Sequence, residues 1–188
     1  YINELHALGH SVFFAPDIHQ EKTIDGFLHF VDALIFPPSD NIKRISLDSM
    51  EENPLDFQQE FRQNCWLKKA IEKNKPVLAL GNQFFWINQY FGGKSSEYKA
   101  MAPGEIQFTK DFSEKIGVRK VQGMISHGKI ITLGRDLEKL TTGERVGGLR
   151  KENLLAFPIY PEFSTKDKNE KILEYFSKSL NTMLTRQH

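Results

Sequence analysis

Cysteine is almost absent: Cys65 is the single one in 188 residues. No disulfide can form within the chain, which excludes a disulfide-stapled scaffold and fits a reducing, cytoplasmic compartment. Long apolar runs are missing as well. No stretch of about 18 apolar residues is available to cross a bilayer, so no membrane partner is expected. Neither charge sign is in surplus, with 25 Lys and Arg against 24 Asp and Glu for a net +1. Nothing in that balance favours a nucleic-acid backbone or an anionic surface as partner. Internal repeats, low-complexity tracts and flexible linkers are absent too, which removes solenoids and linked modules. The first residue is Tyr1 rather than Met. A natural N-terminus, with any targeting signal, is expected to lie outside this sequence. What is present is 39% hydrophobic content, ample for one packed domain over residues 1–188.

Ile2, Leu5 and Leu8 recur at helical spacing and stop at Gly9. The apolar run Val12-Phe13-Phe14-Ala15-Pro16 then reads as a buried strand. A second run, Val31-Asp32-Ala33-Leu34-Ile35-Phe36, ends in the turn-rich Pro37-Pro38-Ser39-Asp40-Asn41. Lys43 to Pro54 reads as a loop. Phe57, Phe61, Cys65, Leu67 and Ile71 fall on one helical face, and Lys68, Lys69, Glu72 and Lys73 lie largely off it. Pro76-Val77-Leu78-Ala79-Leu80 is a continuous apolar strand, Gly81 a sharp turn, and Asn82 to Phe91 a helix ended by Gly92-Gly93. Strand, helix, strand, turn, helix predicts an α/β fold with a doubly wound, mostly parallel sheet. From Ala100 the texture changes to short runs: Glu105 to Phe108, Val118 to Ile125, Lys129 to Leu133, Val146 to Leu149 and Leu154 to Tyr160. These predict a small antiparallel extension. Ile172, Leu173, Phe176, Leu180, Met183 and Leu184 share one face of a closing helix from about Asn169.

The strand, tight turn and helix from Lys75 to Asn88 have the layout of a nucleophile elbow, with the nucleophile position at Gly81. The segment resembles the elbow of class I glutamine amidotransferases, most closely the γ-glutamyl hydrolase branch. That pattern runs proline, apolar strand, cysteine, any residue, glycine, then a helix closed by Gly-Gly. Val31 to Ile42 is similar to the family's oxyanion strand and loop, and Tyr160-Pro161-Glu162-Phe163 to its His-Pro-Glu signature. Val121 to Gly128 is similar to a stretch ahead of the pocket wall in γ-glutamyl-γ-aminobutyrate hydrolases. The resemblance covers nearly the whole chain and implies a flavodoxin-like three-layer fold lacking its first strand. It also implies a cleft lined by Pro38, Ser39, Asn41, Asn82, Gln83 and Met124.

In that family a cysteine attacks the γ-carbonyl, a histidine shuttles the proton and a glutamate orients the histidine. Here the three positions read Gly81, Tyr160 and Glu162. Glycine has no attacking group, and a phenol of pKa ~10 is a poor base near neutrality. Glu162, two residues from Tyr160 in an extended segment, would share its face and accept a hydrogen bond from the phenol. Pro38 falls where the family supplies an oxyanion-hole N–H, and proline has none to give. Losing one such donor costs ~10² to 10³ in rate, and losing a nucleophile or base on the order of 10⁶.

The resemblance therefore implies an inactive homologue that binds a glutamyl-like ligand or a protein partner, with no cofactor. Two alternatives stay open. One is a hydrolase with a rebuilt site using Ser39, Ser126 or a water activated by Glu162; the other is a structural subunit of an oligomer. Cys65, on an apolar helical face, reads as a small hydrophobe rather than a displaced nucleophile. Ser126 and His127 are strand neighbours that point to opposite faces, so they make a poor dyad. His6 and His10 have helical ligand spacing, but Gly9 intervenes and no third ligand is evident, so no metal is expected.

Overall fold

The structure, a computed structural model, describes residues 2–38, 54–96, 100–160 and 166–185; the side chains of 54–57, 100, 127, 166–170 and 181–185 are outside that description. In chain order the elements are α1 (Ile2–Ala7), α2 (Glu21–Phe30), β1 (Leu34–Phe36), α3 (Pro54–Glu72), β2 (Val77–Leu80), α4 (Gln83–Tyr90), β3 (Lys94–Ser95) and β4 (Ala100–Gln107). There follow α5 (Lys110–Ile116), β5 (Lys120–His127), β6 (Ile130–Thr132), β7 (Glu138–Lys139), β8 (Leu149–Lys151), β9 (Leu154–Phe157) and α6 (Lys166–Thr185).

The main sheet has the order β1-β2-β9-β8-β7. β2 runs parallel to both β1 and β9, and β8 and β7 extend the sheet antiparallel. The three parallel strands are apolar at every position because both of their faces are covered. Their alternation sorts the side chains into two layers. Leu78, Leu80, Leu155 and Phe157 pack with Leu5 of α1, Phe112 of α5, Phe176 of α6 and Ile106, Val121 and Ile125 of the β4–β5 hairpin. Val77, Ala79, Leu154 and Ala156 pack with Ile24 and Leu28 of α2, Trp66 and Leu67 of α3, and Phe84, Trp86 and Ile87 of α4. The result is the expected three-layer α/β arrangement.

Several expectations need correction. Val12 to Ala15 forms no strand, and Phe13 and Phe14 are 70% and 82% exposed rather than buried. Among the described residues no strand pairs with this run, so it has no ladder to join. Helices α2 and α5 were not foreseen. α5 is short, but its ends are well marked: Thr109 accepts a hydrogen bond from the Phe112 N–H, and Gly117 closes it at φ +72°. The strand expected at Val146 to Leu149 starts only at Leu149. A Cβ on Gly147 or Gly148 would lie 3.0 Å from Ile106 or 2.9 Å from Phe157, so these glycines serve close approach. The loop expected over Lys43 to Pro54 falls outside the described residues, except that Pro54 opens α3. Among the described residues no helix is long and apolar enough to cross a membrane.

Candidate functional site

Because β1, β2 and β9 are parallel neighbours, the segments leaving their C-terminal ends converge. These are Pro37-Pro38, Gly81-Asn82-Gln83 and Pro158-Ile159-Tyr160. Open α/β sheets hold their ligands at such ends. The elbow itself is well formed. Gly81 turns the chain at φ +61°, its N–H donates to the Ile159 carbonyl at 2.9 Å, and its carbonyl accepts from the Phe84 N–H at 3.3 Å as α4 begins. Gly92, at φ +81°, ends that helix. Asn88, fully buried on α4, fixes the following turns. Its amide donates to the Thr132 carbonyl at 3.0 Å and its oxygen accepts from the Gly134 N–H at 2.9 Å.

The space in front of the elbow is taken by the protein's own rings. A Cβ at Gly81 would lie 2.8 Å from Pro38 Cβ, 3.0 Å from Pro38 Cγ and 3.2 Å from Tyr160 Cε1. The first distance is closer than two carbons tolerate, and the pyrrolidine ring cannot rotate away as a flexible side chain would. Positive φ adds a second restriction, since only glycine adopts it freely.

Tyr160 is held from two sides. Its N–H donates to the Met124 carbonyl at 3.0 Å, and its phenol oxygen accepts from Ser126 Oγ at 3.1 Å. Both side chains are buried, Tyr160 at 2% exposure and Ser126 at 0%. The Ser126 N–H donates to the Pro158 carbonyl at 2.7 Å, and Arg145 Nη2 donates to the Ser126 carbonyl at 3.2 Å. Hairpin β4–β5 thereby pins Tyr160 against Gly81. Asn82 and Gln83 are buried as α4 begins, and Gln83 Oε1 has no hydrogen-bond partner among the described residues.

The structure therefore brings Pro38, Gly81, Asn82, Gln83, Met124 and Tyr160 into one neighbourhood. Ser39, Asn41 and Glu162, together with the expected Tyr160–Glu162 hydrogen bond, lie outside the described residues. Ser126 was weighed above as a nucleophile, but its observed partner is Tyr160. The signal for that pairing was the even spacing of Met124 and Ser126 on one strand, and it names no partner by itself. Cys65 sits half-buried on α3, against the layer built by α2, α3 and α4. His6 and His10 do not converge on an open point: His6 Nδ1 lies 3.0 Å from the His10 carbonyl oxygen, and His10 Nε2 lies 2.7 Å from Ser177 Oγ. Among the described residues no group of three His, Cys, Asp or Glu side chains is placed to hold a metal ion.

The sequence matches no family model and no curated protein. Similarity to solved structures is extensive. A GMP synthase subunit homologue from Thermoplasma acidophilum superposes with a TM-score of 0.73 at 17% identity, covering 98% of this chain and 88% of that one. A glutamine amidotransferase from Methylobacillus flagellatus superposes with a TM-score of 0.56 at 11% identity, covering 94% of this chain and 68% of that one. These likenesses, together with the layered sheet described above, give this chain the α/β fold of the class I glutamine amidotransferase-like proteins.

Proposed function

We propose that the protein is a non-catalytic relative of the γ-glutamyl hydrolases, acting by binding rather than by hydrolysis. The observation that carries this reading is the crowding at Gly81. The elbow has the backbone of a nucleophile site, but the volume a nucleophile and an acyl group would need is taken by Pro38 and Tyr160. The same crowding favours a protein partner over a glutamyl-like small molecule, because a γ-carbonyl has no room beside Gly81. Assignment to the γ-glutamyl branch rests on the sequence blocks around Gly81 and Tyr160.

The test is γ-glutamyl hydrolysis, with glutamine and a γ-glutamyl amine as substrates at high protein concentration and Glu162→Ala as control. No turnover in either protein is expected. Turnover in the native chain that disappears in the variant would overturn the proposal in favour of a rebuilt hydrolase.

A further inference from the structure

At the end of β2 opposite the elbow, an open groove of about 310 Å³ lies between the last turn of α3, the β8–β9 turn and Phe91. That volume is at the small end of ligand sites. The floor is apolar: Val77 and Leu154, the paired first residues of β2 and β9, with Ile71 and Phe91 beside them. Hydrogen bonds between separate segments fix the walls. α3 closes with Asn74 at φ +53°; the Asn74 N–H donates to the Ile71 carbonyl at 2.9 Å and the Lys75 N–H to the Ala70 carbonyl at 2.8 Å, the paired bonds of a Schellman end. Asn153 Nδ2 then donates to Asn74 Oδ1 at 2.7 Å and to the Asn74 carbonyl at 3.2 Å, which ties the two turns together.

The charges around this groove divide into paired and unpaired. Lys151 Nζ is held by Asp136 at 2.9 Å and stands 5.0 Å from the centre of the Phe91 ring. Lys73 lies 3.5 Å from Asp25, and Glu72 meets Lys69 at 2.9 Å. Lys75 and Glu152, one on each turn, both line the groove, yet neither side chain makes a hydrogen bond or ion pair among the described residues. Lys75 is half-buried and Glu152 exposed. Glu152 also holds φ +48°, a left-handed conformation that glycine or asparagine adopts with less strain. The turn thus carries a carboxylate where turn geometry alone gives no reason for one.

We propose that the groove binds a free α-amino acid with an apolar side chain. Its carboxylate pairs with Lys75, its ammonium with Glu152, and its side chain lies on the floor of Ile71, Val77, Phe91 and Leu154. A zwitterion is the complement of two opposite charges that flank one apolar floor without meeting each other. An apolar carboxylate alone would leave Glu152 without a partner, and an apolar amine alone would leave Lys75 without one. Because the groove is at the far end of β2 from Gly81, this inference is independent of whether the elbow is catalytic.

Titration of the isotope-labelled chain with L-phenylalanine, followed through its amide chemical shifts, tests it. Saturable shifts are expected at Lys75, Glu152 and Asn153 with the Gly81 amide unmoved, and a dissociation constant in the millimolar range or below. Phenylacetate, which lacks the ammonium, and phenethylamine, which lacks the carboxylate, should each bind about 10-fold more weakly or worse. Lys75→Gln should abolish the advantage of L-phenylalanine over phenethylamine, and Glu152→Gln its advantage over phenylacetate, with far-UV circular dichroism unchanged in both. The absence of saturable shifts at the groove overturns the proposal, as do shifts confined to the elbow. Binding of phenylacetate or phenethylamine as tight as that of L-phenylalanine overturns it as well.

Discussion

Restoring a side chain at Gly81 separates the backbone requirement from the steric one. A β-carbon there meets Pro38 at 2.8 Å on a backbone of φ +61°. Gly81→Ala should therefore lower unfolding stability by about 2 to 4 kcal/mol, combining left-handed strain of about 1 to 2 kcal/mol with overpacking. In a Pro38→Gly background the steric part shrinks while the strain remains. The two substitutions should couple by about 1 kcal/mol or more in a urea-denaturation cycle. Additive effects would mean that Pro38 does not hold the elbow shut. At this scale the sequence was legible in the backbone: the sharp turn expected at Gly81 between a buried strand and a helix is there, at φ +61°. The contact between Pro38 and Gly81, and the serine that holds Tyr160, depended on how three strand ends converge, which no linear spacing encodes.

Between elements, the α2–α3 contact carries a cluster of opposite charges at the surface. Lys68 and Lys69 both reach Glu21, at 2.8 and 3.0 Å, and Lys69 also meets Glu72 at 2.9 Å. Hydrogen bonds from Lys68 and then Lys69 hold the Glu21 carboxyl below its ordinary 4.5, and bonding to Glu72 and Glu21 pushes Lys69 upward. Glu21, with its folded pKa depressed, contributes stability that is present above 4.5 and lost as the pH falls through its lower folded value. Glu21→Gln should therefore flatten the acid limb of the melting-temperature profile below about pH 5 and leave a smaller salt dependence near neutrality. An unchanged acid limb would show the cluster to be energetically silent, as many exposed pairs are. Element recognition from sequence followed a related logic. The buried strands β2 and β9 and helix α3 announced themselves as continuous or periodic apolar runs. Helix α2 did offer Ile24 and Leu28 four apart, but Thr23 and Gly26 within it weaken helical propensity, and it passed unrecognised. Val12 to Ala15 has the composition of a strand but pairs with no strand among the described residues.

Across the whole molecule, one short segment ties the main sheet directly to the β4–β5 hairpin. The short segment Pro158 to Tyr160 accepts from the Gly81 N–H on one side and from the Ser126 N–H on the other, and it donates from the Tyr160 N–H to Met124. It is bonded at once to the elbow of the main sheet and to the hairpin that carries the outer wall. Amide hydrogens of Gly81, Ser126 and Tyr160, far apart along the chain, should then exchange with solvent deuterium through a single opening event. Their protection free energies should agree, and should respond together to Ser126→Ala. Protection that falls at Ser126 alone would reveal a hairpin that breathes by itself. If the three share one clock, the stretch after β9 is a rivet: the site can be uncovered only by loosening the joint between the two halves of the structure, and no local swing of a tyrosine is enough.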